Sequence, residues 1–304
     1  QDGEERETLL KHADIAMYSA KEAGKGTYRF YTDEMNAWTK HRLALEAELQ
    51  KALEREEFRV FYQPKIDCTG ERVVGMEALV RWQHPENGMV NPGEFISLAE
   101  ETGLIQPIGE WVFLEACRQT KRWHEAGFEH LKIAINLSPR QFQKEGLVER
   151  IDALAKQSGL ATDYIELEVT ESMMMDNVEQ AIATLSRIRA LGIHLAMDDF
   201  GTGYSSLSVL KRFPIQTLKI DRSFVQHVTE DSDDEAIVSA IISMAESLDL
   251  KLVAEGVETD AQEAFLLERS CCLIQGFKYA PPLSNEAFEE YLRTFSPSTD
   301  QPER

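Results

Sequence analysis

Eight short runs of β-branched or apolar residues punctuate this 304-residue chain, at 59–66, 73–82, 132–137, 164–170, 194–198, 217–220, 251–254 and 273–277. Stretches with helical periodicity lie between most of them, at 107–126, 178–191, 234–248 and 259–269. Strand and helix alternating over about 250 residues is the pattern an α/β barrel requires. The first two runs are separated only by residues 67–72, a turn containing Thr69 and Gly70, so they are expected to form an antiparallel hairpin. One barrel strand would then run backwards.

The ends read differently. An amphipathic stretch over 7–23 stops at Gly24 and Gly26 before a brief expected strand at 27–31, and too little sequence precedes it to build a core. From 33 to 57 the pattern is helical, with Leu45, Leu49 and Leu53 at four-residue spacing. The Ser-, Pro- and charge-rich residues 296–304 read as a disordered tail.

A formal charge of −21 argues against nonspecific binding to DNA, RNA or an anionic membrane, because no basic surplus exists to neutralise phosphates. An anionic substrate would need local cations. None of the seven histidines forms the short-spaced pair that zinc sites use. Cys68, Cys117, Cys271 and Cys272 lack C-x-x-C spacing, and the adjacent pair reads as small buried residues. A reducing cytoplasm is the simplest compartment. No apolar run approaches bilayer length and no signal pattern opens the sequence, although upstream segments could anchor a longer chain.

Parallel barrels carry function on the loops at strand C-termini, and here those ends are mostly acidic. In order they are Glu77 in MEALVRW, Asn136 in INLSP, Glu168 and Glu171 in ELEVTES, Asp198 and Asp199 in MDDFGTGYSSL, and Glu255 and Glu258 in AEGVE, with Lys219 in TLKIDRSF adding one cation. Any one of these alone reads as a solvated loop acid or a helix cap. Carboxylates crowded at one mouth raise one another's pKa unless cations sit between them. With oxygen donors and no Cys or His, such a site prefers magnesium or manganese to zinc, with calcium as an inhibitory competitor. Alternation places Thr217, Lys219 and Asp221 on one strand face, so Lys219 points into the mouth, either as a structural ion pair or in catalysis. Glu166 and Glu168 share a face, and periodicity alone does not choose between them.

The ordered motifs EALVRW, INLSP, E-V-T-E, DDFGTGYSSL, LKID, EGVE and QG at Gln275–Gly276 make residues 42–294 similar to the EAL family of cyclic di-GMP phosphodiesterases. The resemblance implies a modified TIM (β/α)8 barrel with one antiparallel strand, spanning 42–295 behind a linker at 33–41. Residues 1–32 resemble the end of a GGDEF diguanylate cyclase domain, whose main body, with any sensory domain, would lie upstream. The implied reaction is hydrolysis of cyclic di-GMP to linear pGpG by two divalent cations, Mg2+ or Mn2+. By the resemblance Glu77, Asn136, Glu168 and Asp198 hold one ion, and Asp198, Asp199 and Glu255 the second. Lys219 then positions the attacking water, with Glu255 a candidate base. Gln63, Leu79, Arg81, Glu258 and Gln275 line the nucleotide pocket, Arg81 as a forked phosphate donor. Glu171 tethers the loop carrying Gly201, Thr202 and Gly203, whose alternative is a plain glycine turn. A homodimer is also implied, with the loop after Asp199 near its interface. Two rivals are an inactive EAL-type receptor for cyclic di-GMP and a magnesium-dependent proton-abstracting enzyme on the same fold.

Overall fold

The computed structural model describes residues 6–22, 28–69, 71–201 and 207–295. Two compact units are present: one combines residues 1–57 with 82–104, the other 58–81 with 105–304. The larger unit is the barrel.

The strands are β1 (Phe58–Asp67), β2 (Arg72–His84), β3 (Gly88–Val90), β4 (Lys132–Asn136), β5 (Ile165–Thr170), β6 (His194–Phe200), β7 (Thr217–Ile220), β8 (Lys251–Glu255) and β9 (Leu273–Gln275). In the sheet the order is β1-β9-β8-β7-β6-β5-β4-β2-β3, and an additional β1–β2 pairing closes eight of these strands into a barrel. Strands β2 and β4 to β9 run parallel to one another, whereas β1 is antiparallel to β9 and β3 is antiparallel to β2. The hairpin expected from the short turn is therefore real, and β1 is the reversed strand.

Burial on both faces explains the dense apolar composition of the central strands. In β5, Ile165, Leu167 and Val169 are buried beneath the helical layer while Glu166 and Glu168 point inward. All four residues of β7 are buried. The outer layer includes helices Ile105–Glu125, Leu147–Ser158, Val178–Ala190, Ser232–Ser247, Asp260–Glu268 and Asn285–Phe295. Tyr62 of β1 meets Trp123 edge-on at 4.8 Å, and Phe288 packs 4.9 Å from Trp123. This aromatic cluster seals the outer face of the reversed strand, where truncating one ring would cost about 3–5 kcal/mol.

In the smaller unit, helix Asp33–Ala52 is continuous through the segment read as a linker and buries Leu45, Leu49 and Ala52. Trp82, fully buried, donates from Nε1 to Glu57 Oε2 at 2.9 Å and meets Phe95 edge-on at 5.8 Å. Helix Pro92–Thr102 and β3, unmarked in the sequence reading, also belong here. The strand expected at 27–31 is not formed over the described residues 28–31. Tyr28 and Phe30 are each 78% exposed, and a strand without a hydrogen-bonded neighbour has nothing to hold it extended. All four cysteines are free, and no helix among the described residues is long and apolar enough to cross a membrane.

Candidate active site

Strand register assembles the acids. Asn136 lies beside Glu168, Thr170 beside Asp198 and Glu255 beside Gln275, so the C-terminal ends of β4, β5, β6, β8 and β9 converge on one mouth. At its centre stands Lys219 of β7, only 1% exposed. Its Nζ lies 2.6 Å from Glu168 Oε2, 2.6 Å from Glu255 Oε1, 3.1 Å from Asp198 Oδ1 and 3.6 Å from Glu77 Oε2. Asp221, read as continuing this strand face, instead falls past the end of β7 and caps helix Arg222–Val225 by accepting from Ser223 N. The accepting Asp221 carboxylate belongs to the start of that helix, so the strand stops at Ile220, one residue earlier than alternation suggested.

A second buried lysine, Lys65 of β1, was missed by the sequence reading. Its Nζ bridges Glu166 Oε1 at 2.9 Å and Glu168 Oε1 at 2.7 Å. Thr217 Oγ1 donates to Glu166 Oε2 at 2.8 Å. Glu166 and Glu168 thus divide the roles that periodicity left open: Glu168 faces Lys219 and the mouth, and Glu166 is held below it. The signal for Lys65 was its two-residue spacing from Gln63 on the same strand face.

The amides complete the lining. Asn136 Nδ2 donates to Glu77 Oε1 at 2.5 Å, and Gln275 Nε2 donates to Glu77 Oε2 at 2.7 Å and to Gln63 Oε1 at 3.0 Å. Gln63 in turn donates to Ala280 O at 3.2 Å. Gln275 Oε1 is buried with no partner among the described residues. Gly276 is required next to it, since a Cβ there would lie 2.0 Å from Val257 O.

Charge is unbalanced in this mouth. Burial would raise Glu168, but Lys219 and Lys65 draw it down to about 2. Burial pushes Glu255 up to about 8 against the pull of Lys219. Glu77 is raised by burial and by Glu168, and Asp198 by burial and by Glu168 and Asp199. Lys219 holds its proton firmly despite burial because four carboxylates surround it. One ammonium shared by four acids leaves negative charge that a hard cation would relieve.

Asp199 adopts φ 54° at an irregularity between Met197 and Phe200 of β6, where the register with β7 shifts. This bulge lets two successive acids serve the mouth, which a regular strand would send to opposite faces. Asp199 is raised by burial and by neighbouring Asp221. Gly201 N donates to Glu171 Oε2 at 3.3 Å, the tether read from the motif, and Gly201 has φ 101°. Thr202 and Gly203 lie outside the described residues.

Toward the rim, Leu79 and Arg81 continue the Glu77 face of β2, both half-buried. The Arg81 guanidinium lies 5.6 Å from the Phe61 ring centroid and donates to Val80 O at 2.9 Å. Glu258 is exposed, and its backbone N donates to Gln262 Oε1 at 2.8 Å. No three Asp, Glu, His or Cys side chains among the described residues are arranged, as they stand, to hold a metal; the acids close on Lys219 instead.

Fold and site together define an α/β barrel with a carboxylate-lined mouth closed on a buried lysine. The chain belongs to the EAL family, whose EAL domain profile matches residues 46–282. It is 46% identical over 285 residues to the bifunctional diguanylate cyclase/cyclic di-GMP phosphodiesterase MucR of Pseudomonas aeruginosa, covering 94% of this chain and 42% of that protein. It is 40% identical over 293 residues to the cyclic di-GMP phosphodiesterase PdeR of Escherichia coli, covering 96% of this chain and 44% of that one. The chain thus spans less than half the length of these relatives. Among solved structures, the MucR phosphodiesterase in complex with c-di-GMP superposes with a TM-score of 0.79 at 46% identity, covering 81% of this chain and 99% of that one.

Proposed function

We propose that this chain hydrolyses one phosphodiester bond of cyclic di-GMP, giving linear pGpG, with two divalent cations, Mg2+ or Mn2+. The carrying observation is the surplus of acid at the barrel mouth, where Glu77, Glu168, Asp198 and Glu255 share Lys219. The similarity to a phosphodiesterase in complex with c-di-GMP supports that dinucleotide as the substrate.

The donors fit such ions. All are oxygens, as magnesium and manganese prefer, and the raised Glu77, Asp198, Asp199 and Glu255 mark negative charge in want of a partner. Glu77, Asn136, Glu168 and Asp198 would hold one ion and Asp198, Asp199 and Glu255 the other. When bound, the ions would lower the pKa of water and stabilise charge on the phosphate oxygens. Lys219, at the centre of the mouth, would position the attacking water, and Glu255 is the group best tuned to take a proton near neutral pH. Arg81 offers a guanidinium to the phosphate, and Gln275, with a buried unpartnered oxygen, offers a polar contact to the nucleotide. Leu79, Gln63 and Glu258 extend that pocket.

Reading residues 1–32 as the end of a GGDEF domain is in keeping with the cyclase part of the name of MucR, whose 285-residue match is longer than the 46–282 span of the family profile. Incubation with cyclic di-GMP and Mg2+ or Mn2+, followed by chromatography, should yield linear product. Saturable binding with no product at high enzyme would instead identify a receptor.

A further inference from the structure

The opposite, N-terminal mouth of the barrel carries the reverse charge. Lys132, His194 and Lys251 begin β4, β6 and β8, and Arg72 begins β2, so strand order alone brings them to one rim. They line a cavity of about 460 Å³, a volume suited to a small organic molecule. Its walls are apolar, with Val74, Met76, Ala134, Val253 and Leu273 facing the space.

Of these groups, Lys132 and Lys251 are poorly compensated on a chain that has acid to spare. Among the described residues, no carboxylate lies within 4.0 Å of the Lys132 or Lys251 ammonium. Glu166, the acid at the cavity floor, is already engaged by Lys65 at 2.9 Å and by Thr217 at 2.8 Å. Asp67 is engaged by Arg72 at 3.3 Å. Lys132 Nζ instead faces His194 Nε2 at 3.4 Å. Burial and neighbouring Lys251 lower the Lys132 pKa, and burial and Lys132 lower that of His194. Like charges gathered over an apolar hollow cost free energy that an anion from outside would recover.

We infer that this cavity is a second ligand site, for a small organic anion whose phosphate, sulfonate or carboxylate head meets Lys132 and Lys251 and whose apolar body lies against Val74, Met76 and Leu273. The site is separate from the acidic mouth, where such an anion would meet Glu77, Glu168, Asp198 and Glu255. Naphthalene-1-sulfonate is a suitable probe because it neither hydrolyses nor sequesters magnesium.

Equilibrium dialysis of the Mg2+-containing protein against this sulfonate should show one saturable site per chain. Affinity should fall at least about tenfold in Lys132→Gln/Lys251→Gln, and more steeply in Lys251→Glu, whose exposed position makes it safe for folding. In a parallel dialysis with chelator, where cyclic di-GMP is not turned over, saturating dinucleotide should leave the sulfonate bound. Equal affinity in wild type and both variants, displacement by the dinucleotide, or no saturable binding in the wild type would each overturn the proposal. The variant comparison decides it whether or not the chain cleaves cyclic di-GMP.

Discussion

The two mouths of this barrel are built from the same strands and carry opposite charge. At the C-terminal mouth one ammonium, Lys219, is surrounded by four carboxylates within 3.6 Å. At the N-terminal mouth Lys132 and Lys251 gather with His194 and Arg72 around a hollow whose acids are already paired. Between them, Lys65 joins Glu166 to Glu168, so a buried chain of alternating charge runs from one end to the other. The contrast teaches that a barrel interior is polar in layers: where acid exceeds base the layer seeks cations, and where base exceeds acid it seeks anions.

The sharpest test of the acidic end is Glu77→Ala. Turnover of cyclic di-GMP should fall more than about 100-fold, since even outer partners of metal ligands commonly cost 10- to 100-fold. Circular dichroism should show the fold retained, and a near-normal rate would remove Glu77 from the ligand set. Next in size is the link between the layers. Lys65→Met leaves Glu166 and Glu168 without their shared cation and should cost about 3–5 kcal/mol in urea denaturation. A loss below about 1 kcal/mol would mean that Lys219 alone suffices to hold Glu168.

A pH series separates the ends by sign. Glu255, raised to about 8, binds more protons in the native than in the unfolded chain between its ordinary value of 4.5 and about 8. Stability of the protein in chelator should therefore decline as pH rises through that window, and Mg2+ should flatten the decline. His194, held below its ordinary 6.5, works oppositely by adding stability as pH approaches that value. The decline is thus cleanest from about 6.5 to 8, and a thermal midpoint that rises there in chelator would contradict the acid surplus. Smallest is Thr217→Val, which removes one donor from Glu166 and should cost about 1–2 kcal/mol with turnover nearly unchanged. A large loss of turnover would show that Glu166 positions Glu168 more tightly than Lys65 does.

Much of this was legible in the residues. The alternation of runs marked the strands of the barrel, the six-residue spacing from Asp67 to Arg72 gave away the reversed β1, and the motif acids named the mouth. Helix Pro92–Thr102 was left unmarked, although Asn91 accepts from Gly93 N and Pro92 opens the first turn. Lys65 was hidden because a lysine in a strand has no local signature of its partner: Glu166 and Glu168 are 101 and 103 residues away. The cationic mouth was invisible for the same reason, as Arg72, Lys132, His194 and Lys251 are scattered until the barrel closes.

By itself, then, the amino-acid order determined the eight barrel strands and the helices between most of them, because periodicity and turn chemistry act over a few residues, but not β3, helix Pro92–Thr102 or the fate of residues 28–31. Only the closed barrel decided which acids meet which lysines. Ion pairing depends on distance across the interior, and strand register, set by the packing of the whole sheet, fixes those distances.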